Sequence, residues 1–489
     1  MTQKTTGTPI DHFKKSLTGS DLTERLRAGV IGEGISIEGP FGKRDLIYAD
    51  YVASGRALRQ IEQFVMEDVL PVYANSHTEA SYCGSAMTRM REAARSEIAR
   101  VCGANEQFAT IFCGSGATAG LNRLVHLLGV SDAVERGENP LVILGPYEHH
   151  SDILPWRESG AEILEINEAA NGGPDLTELE QVLVDKSANR LVVGAFSMMS
   201  NVTGIVTDDE AVTKILKKYG ALSVWDCAGS GPYLPIEMKA GAEFEKDAVV
   251  VSPHKFIGGP AASGVMIIRK DAARKTTPVF PGGGTVRFVS PWAHDYSDCI
   301  ATREEAGTPN VIGDIRAALA FLVKEAIGQQ TMDKRNAEWR RRALAVWGEN
   351  PAIEILGNSG ADYVLPVFSF RMRDKVRGGY IHQQLVTRML SDVYGVQARG
   401  GCACAGPYAH RLLGIDEAES STLRAGILSG EELKKPGWTR LNFSVLLTEE
   451  KADKIIAAVD DLARKPYPVA DHYTCNETTA RFKAVQNAA

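Results

Sequence analysis

Eight cysteines in 489 residues are too few for a disulfide framework, so reduced thiols are expected, and any clustered pair calls for a chemical explanation. Cys402 and Cys404 form the one close pair. Long apolar runs are missing as well. None reaches the ~18 residues that a membrane span needs, and the opening MTQKTTGTPIDHFKKSLTGS has no apolar stretch of signal-peptide length. A cytoplasmic protein with no membrane partner is expected. Positive charge is not in excess either: 54 Lys and Arg stand against 61 Asp and Glu, a formal net charge of −7. The basic residues are scattered, which implies no nucleic-acid partner. No HExxH-type spacing accompanies the adjacent histidines 149 and 150, so no metal site is expected. What remains is a chain with 44% hydrophobic residues, enough to bury a large core and to divide into two or more domains.

Short β-branched runs alternate with helical patterns. LVILG (141–145), EILEI (162–166), RLVVGAF (190–196), ALSVWD (221–226), DAVVVS (247–252) and GVMIIR (264–269) read as strands. Helical stretches at 119–129, 176–186 and 208–219 lie between many of them. The alternation predicts an α/β fold with a mostly parallel sheet. GVMIIR follows DAVVVS after a turn alone, which favours an antiparallel strand there. After GTPN (307–310) the pattern predicts a long helical stretch over 311–347, then the strand in YVLPVFSFRM and a helix near 380–394. This division gives an N-terminal extension (1–45) packing on the small domain, a large domain (46–310), and a smaller α+β C-terminal domain (311–489). Residues 416–438 read as a loop with one short helix.

The segment VVVSPHKFIGGPAASGV (249–265) sets Lys255 just past an apolar strand, at the sheet edge where ligands of open α/β folds bind. A turn lysine on the surface is the plain alternative. Two other features argue for chemistry. Asp226 ends the apolar strand ALSVWD before a glycine-rich turn, where a buried acid needs a cationic partner. FCGSGATAGLN (112–122) reads as a strand, small residues and then a helix whose N-terminal amides would face an anion. It has no GK[ST], which argues against a nucleotide P-loop. Lysine, acid and anion cradle are what pyridoxal phosphate (PLP) requires: an amine for its Schiff base, a partner for the pyridinium nitrogen and a phosphate site. Ser252 and His254 could add donors to the phosphate. His149 in YEHHSDILPW could lie over the pyridine ring, and Asn201 in SNVTG could reach a ring oxygen.

Together these motifs resemble the class V aminotransferase family of fold-type I PLP enzymes, closest to group II cysteine desulfurases and selenocysteine lyases, over roughly residues 45–470. The resemblance implies a fold-type I architecture and assigns Lys255, Asp226, His149, Ala117, Thr118, Asn201, Ser252 and His254 to PLP. REEAGTPN (303–310) resembles a segment that completes the phosphate site across a dimer interface, which implies a homodimer with Thr308 serving the partner's cofactor. TRLNFSVLLTEEKAD (439–453) implies that Arg440 grips the substrate carboxylate. VQARGGCACAGP (396–407) resembles the family's active loop running from an arginine, Arg399, to a cysteine. In group II relatives the reactive cysteine lies five positions after the loop arginine, which makes Cys404 the nucleophile and leaves Cys402 to resolve or relay a persulfide. On an extended loop the two thiols would point the same way.

One departure stands out. Relatives usually carry Gln after DGA, whereas this chain reads DCAG, with Gly229 at that position. The expected activity is conversion of L-cysteine to L-alanine with sulfur passed through an enzyme persulfide to an acceptor protein. The alternatives are an aminotransferase, an epimerase or a selenocysteine lyase acting on another amino acid, or a non-catalytic binding protein of the same fold.

Overall fold

The computed structural model describes residues 8–76 and 78–485. The larger unit is organised on seven strands: β1 (Phe108–Phe112), β2 (Leu141–Leu144), β3 (Glu162–Glu165), β4 (Val192–Ser197), β5 (Leu222–Asp226), β6 (Ala248–Val251) and β7 (Val265–Arg269). Their spatial order is β1-β7-β6-β5-β4-β2-β3. Strands β2 to β6 run parallel, and β7 is antiparallel to both β6 and β1. The link from β6 to β7 holds no crossover helix, and without one a strand cannot return parallel to its predecessor. Every residue of β4, β5 and β6 is buried. A sheet covered on both faces therefore explains why these strands read as unbroken apolar runs. Asp226 closes β5 and Lys255 follows β6, so both stand at the carboxyl edge of the sheet.

Among the helices are α1 (Pro9–Ser16), α2 (Leu22–Gly29), α3 (Tyr82–Val101), α4 (Ala117–Leu127), α5 (His150–Glu158), α6 (Val311–Ile327), α7 (Gln329–Trp347), α8 (Gln383–Tyr394), α9 (Gly406–Leu413) and α10 (Glu417–Leu428), with Leu176–Lys186, Asp209–Lys218 and Glu449–Arg464 also helical. The stretch expected as one helix over 311–347 is two. Gly328, with φ +80°, ends α6 in a conformation that costs a glycine little. The break separates two environments. Residues Ala317–Val323 of α6 are buried all round in the large core, whereas Trp339, Ala343 and Trp347 of α7 belong to the small core. The large unit thus extends past residue 310 to the end of α6.

The small unit is a sheet of β8 (Ile353–Ile355), β9 (Val367–Arg373), β10 (Arg399–Gly401) and β11 (Trp438–Asn442), in the order β8-β9-β11-β10. All of these pairings are antiparallel. The N-terminal segment divides its contacts, where the sequence pattern placed all of it on the small domain. Ile10, Phe13, Leu22 and Leu26 of α1 and α2 join the large core. The hairpin of residues 36–45 lies on the small unit instead, with Arg44 Nε donating to Val393 O at 2.6 Å. Residues 1–7 of the extension lie outside the described residues. Ile47 and Tyr48 then pair with Val396 and Gln397, which brings Asp50 to the junction of the two units. Among the described residues, no helix is long and apolar enough to cross a membrane.

Candidate active site

At the carboxyl edge of the large sheet lies a cavity of about 250 Å³ lined by both units. The large unit contributes Ala117, Thr118, His149, Asn201, Asp226, Gly229, Ser252, His254 and Lys255, and the small unit contributes Arg399, Ala403, Cys404 and Arg440. Burial holds the Lys255 ammonium below its usual range. Arg440 and Arg399 add to that effect, while Asp226 and Asp50 oppose it. The amine is thus biased toward its neutral, nucleophilic form. Burial raises Asp226, partly offset by the Ala228 amide, which donates to Oδ1 at 2.7 Å, and by Lys255. Behind it Glu148 and Asp152 are buried too and pushed upward, chiefly by desolvation. Glu148 and Asp152 are linked by a side-chain hydrogen bond, as two buried carboxyls can be when they share a proton. Asp226, which lines the cavity in front of them, is best stabilised by a cation in the pocket.

At one end of the cavity helix α4 begins without a side-chain cap, its first turn led by Gly116 at φ +74°. A Cβ at Gly116 would meet Ser252 Oγ at 2.7 Å and His254 Cε1 at 3.0 Å, so both the dihedral and the close approach call for glycine. The Ala117 amide donates to Ser252 Oγ at 2.9 Å, and Thr118 Oγ1 lies 2.7 Å from Ser151 Oγ. Hydroxyls gathered on a helix N-terminus suit a phosphate. His149 is the N-cap of α5, its Nδ1 accepting from the Ser151 amide at 3.1 Å. Burial, with Lys255 next, pushes its pKa down to about 4, so the ring is neutral at pH 7 and carries its proton on Nε2. Asn201 Nδ2 donates to Ala403 O at 2.8 Å, while its buried Oδ1 has no partner among the described residues. The uncapped helix, the half-buried lysine, the buried acid and the unpaired Asn201 oxygen fit pyridoxal phosphate in size and charge. A Cβ at Gly229 would make only ordinary contacts, the nearest at 3.4 Å to Met199. The backbone therefore does not demand glycine there.

Opposite the lysine, Arg399 and Arg440 face each other as register partners on β10 and β11. Like charges directly opposite are unfavourable, and Asp50 resolves the conflict. Its Oδ2 accepts from Arg399 Nε at 2.9 Å and its Oδ1 from Arg440 Nη2 at 3.0 Å. Arg440 is 4% exposed, with Nη1 donating to Asn201 O at 3.1 Å. The cysteine loop is not extended. Ala403 and Cys404 have φ of +54° and +56°, a left-handed conformation that costs a non-glycine residue roughly 1–2 kcal/mol. That turn separates the two thiols, which do not point the same way. Cys404 is exposed and lines the cavity, whereas Cys402 packs half-buried against the cluster of Tyr147, Val202, Tyr408 and Trp438.

A model of the class-V aminotransferases matches residues 47–432. The chain belongs to the class-V aminotransferase family. This class-V enzyme is 29% identical over 423 residues to a probable cysteine desulfurase of Staphylococcus aureus, covering 86% of this chain and 92% of the relative. It is 26% identical over 420 residues to a probable cysteine desulfurase of Streptomyces coelicolor, covering 85% and 91%. A cysteine desulfurase from Thermococcus onnurineus superposes with a TM-score of 0.73 at 24% identity, over 90% of this chain and 98% of that one. One from Escherichia coli does so with a TM-score of 0.68 at 20% identity, over 90% and 98%. The fold is that of fold-type I PLP enzymes, and the family is PLP-dependent.

Of the residues singled out in the sequence, all but Cys402 and Thr308 line the one cavity. Thr308 is exposed on the surface of its own subunit. Sequence reasoning missed Asp50. Asp50 is an acid between aromatic residues in LIYADYVASG, a context that hints at burial but not at its partners 349 and 390 positions away. Among the described residues no group of three or more His, Cys, Asp or Glu side chains gathers as a metal site would.

Proposed function

We propose that this enzyme is a PLP-dependent cysteine desulfurase converting L-cysteine to L-alanine. The observation that carries the reading is the meeting, in one cavity, of a half-buried lysine, a buried acid, an uncapped helix N-terminus, a buried arginine and an exposed cysteine. The relatives' names support the same substrate. PLP, held by Lys255, Asp226, His149, Asn201 and the α4 N-terminus with Ser252 and His254, supplies an electron sink for charge developing at the substrate α-carbon. Arg440 holds the substrate carboxylate and sets its orientation. Lys255 Nζ, kept low in pKa by burial, takes the α-proton and returns a proton to the product.

Cys404 Sγ then attacks the substrate sulfur. An S–S bond forms, the substrate Cβ–S bond breaks, and its electron pair stays on the carbon fragment, which leaves as alanine after protonation. The persulfide on Cys404 passes its sulfur directly to an acceptor protein, because Cys402 packs away from the cavity. All eight cysteines are free, which supports a reducing, cytoplasmic setting. Homodimerisation would bring Thr308 to the partner's phosphate site. The hairpin of residues 286–296, with Phe288, Val289 and Trp292 exposed, the last at 90%, supports a covered face on this side of the molecule.

The test is a panel of cysteine, selenocysteine, cysteine sulfinate and other amino acids, scored for alanine release and for enzyme-bound sulfur. Borohydride trapping of PLP with peptide mapping runs beside it. Alanine from cysteine with the label on Lys255 is expected. Amino-group transfer or epimerisation without alanine, or a label on another lysine, overturns the reading.

A further inference from the structure

The second histidine of the EHHSD segment has no part in the chemistry above, yet its contacts converge on the cysteine loop. The His150 backbone N–H donates to Cys404 O at 2.8 Å, and its imidazole Nε2 accepts from the Gly406 N–H at 2.9 Å. Between these two anchors lie the left-handed Cys404 and, at 405, the residue before helix α9. On the other side Asn201 ties down Ala403 O. A backbone turn of this kind, with two successive non-glycine residues at positive φ, persists only where its surroundings hold it. A side-chain change can remove the imidazole bond without touching His149, Asn201 or the thiol, whereas the other side-chain hold on Gly406, the 2.8 Å bond between His410 Nδ1 and Gly406 O, comes from within α9 itself. Gly406 is fitted to the His150 imidazole, because a Cβ there would lie 3.0 Å from His150 Nε2. Burial and Arg157 lower the His150 pKa, which keeps a lone pair on Nε2 at neutral pH.

We propose that His150 is a positioning residue that latches the 402–406 loop and so fixes Cys404 over the cavity. His149 and His150 open the same helix, α5. The ring wall of the cofactor site and the sulfur-accepting loop are thereby registered from consecutive residues. The inference rests on Cys404 as the sulfur acceptor, and on that reading the latch sets the approach of Sγ to the substrate sulfur rather than substrate affinity.

The experiment compares the full-length wild type with His150→Leu, which removes the acceptor, and His150→Gln, whose side-chain carbonyl can replace it. In the chain without added cofactor, hydrogen–deuterium exchange of peptides spanning 402–410 should quicken about 2- to 10-fold in His150→Leu, the factor that one hydrogen bond's net worth converts to. His150→Gln should return it toward wild type. In the PLP-loaded enzyme, single-turnover persulfide formation should slow by a similar factor in His150→Leu with KM unchanged, and His150→Gln should recover. Wild-type exchange in His150→Leu, no recovery in His150→Gln, or a loss confined to KM overturns the proposal. The exchange measurement does not involve sulfur chemistry, so a failure of the desulfurase reading leaves it standing and is recognised separately by turnover in Cys404→Ala.

Discussion

Arg440→Lys keeps the positive charge and removes the planar fork, and the structure gives the size of the consequence. The guanidinium carries five N–H donors, of which one goes to Asp50 Oδ1 at 3.0 Å and one to Asn201 O at 3.1 Å. Three remain, enough for a two-point grip on a substrate carboxylate. An ammonium has three donors in all. If it satisfies the same two buried acceptors, one is left for substrate, and one charge-assisted hydrogen bond is lost. At about 1.5–3 kcal/mol for such a bond, KM for cysteine should rise about 10- to 150-fold. PLP retention should not change, since Arg440 is not part of the cofactor cradle. Steady-state alanine production measures the first quantity, and absorbance of the bound cofactor after dialysis measures the second. A wild-type KM in Arg440→Lys would refute the carboxylate role, and loss of cofactor with unchanged KM would relocate the arginine to the PLP site.

Asp50→Asn keeps the shape but leaves a 4%-exposed guanidinium without its counter-charge. Global stability in urea should fall by about 3 kcal/mol, the low end for breaking a buried pair, because the amide oxygen still accepts one bond; a change under ~1 kcal/mol would show the pair to be well solvated. The Lys324 ammonium donates to Leu234 O and lies 5.6 Å from the Phe256 ring centre, and burial lowers its pKa from 10.5 to about 8. Being lowered in the folded state, it penalises folding in full below about pH 8, and the penalty fades as pH rises toward 10.5. Lys324→Met should therefore stabilise by up to ~3 kcal/mol at pH 7 and by little at pH 10.5; equal effects at both pH values would contradict the burial argument. Thr308→Ala should lower PLP retention in the dimer with little change in the unfolding midpoint of the cofactor-free chain; a stable, fully active monomer holding PLP would contradict a shared site.

Much of this architecture is legible in the sequence because its physical causes are local. Strands buried on both faces, such as 248–251, show as continuous β-branched runs. The antiparallel turn-back of 265–269 follows from the missing crossover helix, and the small-residue loop before α4 announces a close approach that Gly116 then makes. The rest depends on partners distant in the chain. Nothing near Asp50 signals the two arginines that it neutralises, since the sheet register that opposes Arg399 and Arg440 exists only after folding. The helical pattern over 311–347 runs through Gly328, a residue that a helix tolerates at modest cost, so tertiary packing decides the break. Neither Ala403 nor Cys404 is a residue type that signals a left-handed turn, so nothing local marks the bend in this loop. The bonds from His150 and Asn201 hold the bend and turn the two thiols to different surroundings.

The thiol chemistry stands or falls on alanine formation from L-cysteine by Cys404→Ala, set against the wild type and Cys402→Ala under the same PLP loading. Cys404→Ala should bind cofactor and cysteine yet form no persulfide and no alanine above background, while Cys402→Ala, whose thiol packs outside the cavity, should still form alanine. Wild-type alanine production by Cys404→Ala would contradict a cysteine nucleophile in this cavity.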